Sequence, residues 1–319
     1  MEKLISGPLS QILAGLAVLA GSQVANAATT NQASSARWTV VANLNTPHEY
    51  HACVVLHGKI YAVGGGEQAA FEEYDPELNR WKILPQMPSP RAFLGASALS
   101  DRIYTVGGLS RSNEFSGAFE AYDPSGGVWT QYADLPSPRN RLAAVAVSRK
   151  LFAIGGLRPG NVNTTLIEEY DPVSARWTKK ADMPTARHGH SAVAVGDKIL
   201  VIGGFSDTEH PCADVEEYDP KTDHWTRKSD LPTPRGFFGA GVHGDSVYAI
   251  AGRAPVNPPI ERFYSSANRW EKIGQTPARR NRFGIGVVDG SIYLVGGELE
   301  ADDLAIPTSV LRYQPNGTP

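Results

Sequence analysis

Residues 95–132 read GASALSDRIYTVGGLSRSNEFSGAFEAYDPSGGVWTQY, and this stretch decides the fold. Its short apolar runs are separated by turn residues such as Ser100-Asp101 and Asp123-Pro124, a pattern typical of antiparallel strands. The runs predict four strands, near residues 95–99, 103–106, 118–122 and 128–132.

The same pattern recurs along the chain, marked by a tryptophan at intervals of 43, 48, 48, 48 and 45 residues. The tryptophans are Trp38, Trp81, Trp129, Trp177, Trp225 and Trp270. A glycine pair follows an apolar run at Gly64-Gly65, Gly107-Gly108, Gly155-Gly156, Gly203-Gly204 and Gly296-Gly297, with Ala251-Gly252 as a degenerate copy. A tyrosine precedes a turn at Tyr74, Tyr122, Tyr170, Tyr218, Tyr264 and Tyr313. Periodicity of this kind predicts a repeat architecture.

Four antiparallel strands per repeat predict a β-propeller blade, so six copies predict an all-β, six-bladed ring. The glycine pair, the tyrosine and the tryptophan resemble the Kelch repeat, and the resemblance extends over residues 37–314. Few residues follow Tyr313, whereas Trp38 begins a fourth strand that has no preceding three. We therefore expect the N-terminal strand to complete the last blade, as is common in Kelch propellers, and residues 315–319 to form a tail.

The composition fits an ordered, turn-rich β protein, with 32 Gly and 23 Pro among 319 residues. The net charge of −3 offers no basic field for nucleic acid. The glycine pairs do not match a dinucleotide or phosphate loop, because no helix follows them. His188 and His190 would point the same way from a strand, but no Asp, Glu or Cys joins them at ligand spacing. We expect no metal and no cofactor.

The N-terminus resembles a secretory signal over residues 1–27, with Lys3, an apolar stretch and a small-residue cleavage site before Ala28. Residues 28–36 read as a flexible lead-in. The alternative is a retained membrane anchor over residues 4–24. Cleavage predicts an exported protein, periplasmic or extracellular, with no stable membrane insertion. The two cysteines, Cys53 and Cys212, lie in non-adjacent repeats and are expected to be unpaired.

Function is expected where the repeats differ. The connections between blades and the loops between second and third strands should share one face, around the mouth of a central channel. The connections carry Arg91, Arg139, Arg187, Arg235 and Arg280, with His48 in the first repeat. These residues either hold loop carbonyls and adjacent blades together or face a ligand. In both cases we expect them to make the mouth electropositive.

Two connections, 139–141 and 280–282, read Arg-Asn-Arg and resemble the ligand-facing connections of Kelch adaptor domains that bind acidic peptides. The resemblance implies ligand contacts for Asn140, Arg141, Asn281 and Arg282. Glu49 is the only carboxylate in these connections, and it is either an ion-pair partner or an acid/base group. The complete predicted ligand site is His48, Glu49, Tyr50, Arg91, Asn140, Arg141, His188, Arg235, Asn281 and Arg282.

Three functions remain open. The first is an exported binding protein that recognises an acidic peptide or a carboxylated sugar on the loop face. The second is an enzyme similar to the periplasmic Kelch sialic-acid mutarotases, with Glu49 as the candidate catalytic residue and Arg141 and Arg282 on the sugar carboxylate. The third is a structural propeller within a cell-envelope complex.

Overall fold

A computed structural model describes residues 37–66, 70–206, 210–299 and 308–315. The predicted signal segment, the lead-in and most of the predicted C-terminal tail lie outside the described residues. The described chain forms six four-stranded antiparallel sheets, and each sheet is one blade. The alternation of buried and half-exposed residues along these strands explains why each sheet packs between two neighbours.

The blades are numbered by their first strands, and in blades 1 to 5 the four strands lie side by side in chain order. Blade 1 consists of Ala52–Leu56, Lys59–Val63, Phe71–Asp75 and Arg80–Ile83. Blade 2 consists of Gly95–Leu99, Arg102–Val106, Phe119–Asp123 and Val128–Gln131. Blade 3 consists of Ala143–Val147, Lys150–Ile154, Ile167–Asp171 and Arg176–Lys179.

Blade 4 consists of Ser191–Val195, Lys198–Ile202, Val215–Asp219 and His224–Arg227. Blade 5 consists of Gly239–His243, Ser246–Ile250, Pro259–Tyr264 and Arg269–Gln275. Blade 6 consists of Gly284–Val288, Ser291–Val295, Val310–Tyr313 and the N-terminal strand Trp38–Val41. Trp38 pairs with Tyr313 in an antiparallel register, so the predicted closure of the ring by the N-terminal strand is confirmed.

Each hydrophobic cluster combines residues of two adjacent blades, so the core is a series of interfaces around the ring. Every repeat tryptophan also links its blade to the preceding one by a hydrogen bond. Its indole N–H donates to a backbone carbonyl in or beside the connection from that blade. The Trp129 indole, for example, donates to the carbonyl of Pro85 at 2.8 Å. The other pairs are Trp38 to Gln275, Trp81 to Ala42, Trp177 to Ala133, Trp225 to Ala181 and Trp270 to Ser229. The repeated tryptophan thus joins neighbouring blades by both packing and hydrogen bonding.

Blade 5 differs from the predicted repeat at one position. The register pairs Phe263 with Trp270, where the other blades pair a tyrosine with their tryptophan. Phe263 is buried in the core, whereas Tyr264 is half-buried and lies between Arg262 and Arg269. The assignment of Tyr264 as the repeat tyrosine is therefore one residue out of register, and Phe263 fills that place.

Candidate functional site

The repeated arginines of the blade connections are buried inside the blades. Arg91 donates to the carbonyl of Gly107 at 2.7 Å and forms an ion pair with Glu120 at 2.6 Å. The equivalent ion pairs are Arg139 with Glu168, Arg187 with Glu216 and Arg235 with Glu261. Each glutamate lies on the third strand of the same blade.

In blades 1 and 6, one of the two residues of this arginine–glutamate pair is replaced. In blade 1, histidine replaces the arginine, and His48 Nε2 lies 3.4 Å from the Glu72 carboxylate. Asn45 and Thr46 donate hydrogen bonds to the same carboxylate. Burial acts to raise the pKa of Glu72, but hydrogen bonds from His48, Thr46 and Asn45 outweigh it and bring the pKa to about 2. In blade 6, Arg280 donates to Ser309 instead of a glutamate.

We expected the connection arginines and His48 to make the mouth electropositive, and these contacts show that this expectation is wrong for three predicted ligand residues. His48, Arg91 and Arg235 were predicted to face the ligand, but the structure places them in the interior, with at most 2% of each residue exposed. Their partner glutamates neutralise the arginines because a buried charge is tolerated only when it is paired. We therefore leave these three residues out of the candidate site.

Six residues, one from each blade connection, form a ring around the centre of the propeller. We call this ring the mouth ring. Each member adopts a left-handed backbone conformation, with φ between 49° and 59°. The backbone N–H of each member donates to the carbonyl of the member before it, at 2.8–3.2 Å, and the cycle closes from blade 6 to blade 1. The members are Tyr50, Phe93, Arg141, Gly189, Phe237 and Arg282.

The side chains of the mouth ring form a second closed circuit. The rings of Tyr50 and Phe93 lie 4.1 Å apart. The Arg141 guanidinium lies 4.8 Å from the centre of Phe93 and 5.6 Å from that of Phe237. The Arg282 guanidinium completes the circuit, 5.6 Å from Phe237 and 4.6 Å from Tyr50. Both cations therefore face aromatic rings, which favours a charged guanidinium at a partly desolvated position.

The two arginines differ in their partners. Arg282 donates to both carboxylate oxygens of Glu298 at 2.6 Å. Arg141 has no carboxylate partner among the described residues, although the Nε atoms of both arginines are buried without a hydrogen bond. Burial and the nearby Arg282 lower the pKa of Arg141. The positive charge of the mouth is therefore concentrated on Arg141.

Glu49 lies beside this pair rather than at the centre. Burial and the Glu298 carboxylate raise the pKa of Glu49, and Arg282 acts in the opposite direction. Glu49 does not line the cavity at the mouth. The two glutamates and Arg282 thus form one charged cluster at the blade 6 side of the mouth.

The remaining predicted residues support the mouth from below. Asn140 and Asn281 are buried, and their backbones pair with the loops after the glycine pairs. His188 Nδ1 donates a hydrogen bond to Asn163 Oδ1 at 2.7 Å, and its ring stacks on Phe205. Burial and the charge of Arg141 lower the pKa of His188 to about 4. Backbone pairing at Asn140 and Asn281 and the side-chain contacts of His188 thus hold these connections in place.

A cavity of about 120 Å³ lies at the mouth. It is lined by the mouth ring and by the residue that follows each ring member: His51, Leu94, Leu142, His190, Phe238 and Phe283. Sequence reasoning missed Phe93 and Phe237 as site residues and Glu298 as the partner of Arg282, although Phe93 and Phe237 occupy the same repeat position as Arg141. No group of three His, Cys, Asp or Glu residues in the described ranges could hold a metal ion.

Two family profiles match the chain. The Kelch motif matches residues 47–88 and 90–136. The KLHDC2/KLHL20/DRC7 Kelch-repeats domain matches residues 136–297, just over half of the chain. The chain is a Kelch-repeat protein. Kelch propellers generally mediate protein interactions, so a binding role fits the family.

The solved structure described as "Structure of YjhT" is similar to this Kelch-repeat protein, with a TM-score of 0.72 and 17% sequence identity. The match covers 85% of this chain and 96% of the other. At this identity the likeness establishes the fold alone. A comparison with curated protein sequences gave no significant match. Within the described residues, no helix is long and apolar enough to cross a membrane.

Proposed function

We propose that this Kelch-repeat protein is an exported binding protein that holds an anionic ligand at the mouth ring. The observation that carries the proposal is the Arg141 guanidinium, which lies between Phe93 and Phe237 without a carboxylate partner among the described residues. A partly buried charge without a counter-charge is unfavourable, because burial removes its hydration. A ligand carboxylate would supply the missing counter-charge and a charge-assisted hydrogen bond.

The cavity size favours an acidic peptide over a carboxylated sugar. Pockets that enclose a small molecule usually have volumes of about 300–1,000 Å³. The mouth cavity has about 120 Å³, which suits one protruding acidic side chain of a larger partner. The flanking aromatic rings offer apolar contact to the methylene groups of such a side chain.

The mutarotase alternative needs Glu49 to reach a sugar bound at the mouth. Glu49 lies outside the cavity lining, so the geometry does not favour it as an acid/base group there. The test is the exchange of sialic acid anomers, followed by NMR with and without the purified protein. We expect no acceleration, and acceleration that depends on Glu49 would replace the binding proposal with the enzyme.

Binding is tested by fluorescence anisotropy with a labelled Glu-rich peptide and a Gln-rich peptide of the same length. We expect binding of the acidic peptide only. R141A should weaken it at least about tenfold, because it removes the mouth-ring cation that has no carboxylate partner among the described residues. The matched control is R158A, which removes an exposed arginine from a loop of the same blade and should change affinity about twofold at most. Equal affinities for R141A and wild type would contradict the proposal.

A further inference from the structure

The carboxylate of Glu298 is paired with the Arg282 guanidinium, the second cation of the mouth ring. Both of its oxygens accept hydrogen bonds from Nη1 of Arg282 at 2.6 Å. The backbone of Glu298 is fixed by a two-residue strand, Glu298–Leu299, which pairs with Arg280–Asn281 directly before Arg282. The carboxylate is therefore held in the site by the fold of its own blade.

Without Glu298 the mouth would present two cations to a ligand. The guanidinium carbons of Arg141 and Arg282 each lie 5.6 Å from the centre of Phe237, so their separation cannot exceed twice that distance. A short molecule with an anionic group at each end could span them, because an ion pair adds several ångströms of reach at each end. Of the two mouth-ring arginines, Arg282 is paired with Glu298, and Arg141 has no carboxylate partner in the described part of the chain.

We propose that Glu298 selects ligands by their charge. Because its carboxylate already neutralises Arg282, the mouth ring accepts a ligand with one anionic group and disfavours a second anionic group. This inference rests on the proposed function, because it concerns the ligand of the same site. A second anionic group approaching Arg282 would meet the Glu298 carboxylate, and like charges at close range repel. Glu298 is thus a specificity residue rather than a binding residue.

The test uses two probes that differ only in the number of charges, propanesulfonate and propanedisulfonate. Sulfonates stay ionised across the working pH range, so their own titration does not interfere. In wild type we expect the disulfonate to bind no more than about twofold more tightly, the statistical advantage of its two equivalent ends. In E298Q we expect about a tenfold advantage for the disulfonate, because a second charge-assisted contact becomes available at Arg282.

The matched control is E114Q, which removes the same charge from an exposed loop of blade 2, where Glu114 accepts a hydrogen bond from Ser112. E114Q should keep the wild-type ratio of the two affinities. E298A is the second variant if E298Q does not fold, and it should give the same change in ratio. An unchanged ratio in a folded Glu298 variant, with propanesulfonate still bound, overturns this inference and leaves the proposed function standing. Binding of neither probe by wild type and E298Q overturns both.

Discussion

Among single residues, the buried arginines of the connections depend on a glutamate of the third strand for their counter-charge. Glu168 and Glu169 are adjacent in sequence but point to opposite faces of their strand. Glu168 pairs with buried Arg139, whereas Glu169 lies 3.7 Å from Lys150 near the surface. E168Q should lower the free energy of unfolding by about 3 kcal/mol, because it leaves a buried guanidinium without a counter-charge. Urea denaturation measures the change.

E169Q is the matched control, with the same chemical change one residue away. It should lower the free energy of unfolding by no more than about 1 kcal/mol, because partly exposed ion pairs contribute little. Similar losses for the two variants would mean that the buried pair is not what stabilises the connection. The sequence does contain the signal for these pairs, since a glutamate lies two residues before the repeat aromatic residue in blades 1 to 5. This signal becomes visible only when the glutamate of each third strand is compared with the arginine of the connection that precedes the same blade.

At the scale of the connecting elements, the mouth ring depends on a left-handed residue in every connection. Gly189 is its only glycine, and a Cβ at this position would lie 2.8 Å from the ring of Phe237. G189A should lower the free energy of unfolding by about 1 kcal/mol for the left-handed conformation. The contact with Phe237 should add roughly 1–3 kcal/mol, because that ring is confined between two guanidinium groups.

Gly196 provides the control within the same blade. Its φ of 58° matches the 59° of Gly189, but nothing lies within 4 Å of a Cβ added there. G196A should therefore show only the conformational cost. The difference between the two variants in chemical denaturation isolates the contact with Phe237. If the two variants lose equal stability, Phe237 is free to move and the side-chain circuit of the mouth is not rigid.

The candidate site could be predicted only in part from these elements. Arg141 and Arg282 were predicted as ligand contacts from the resemblance of their Arg-Asn-Arg connections to Kelch adaptor domains, and Tyr50 from its place in the variable connections. Phe237 was missed as a site residue because its role depends on Gly189, whose missing side chain leaves room for the ring. Charge at the mouth was overestimated for Arg91 and Arg235, because their neutralising glutamates lie on strands far from the connections in sequence. Pairing between distant strands is not contained in a local pattern.

For the molecule as a whole, the number of blades and the mode of closure followed from the sequence alone. Six tryptophans in phase define six units, and the pairing of Trp38 with Tyr313 closes the ring within blade 6. The reason is physical: a blade cannot bury both faces alone, so every unit must repeat the same interface residues. Closure then converts a linear array into a ring in which each blade has two neighbours.

The contribution of closure can be measured with two engineered disulfides at equivalent positions. Thr39 pairs with Arg312 across the closing strands of blade 6, and Thr226 pairs with Glu217 in blade 4. A T39C/R312C bridge would enclose nearly the whole chain, whereas E217C/T226C would enclose one hairpin. Chain entropy predicts that oxidation stabilises the first variant by roughly 2–3 kcal/mol more than the second. Urea denaturation of each variant, oxidised and reduced, gives the two values, with the effect of the substitutions themselves cancelled. Equal gains would mean that the unfolded chain keeps its ends close together, or that blade 6 opens without unfolding the rest of the ring.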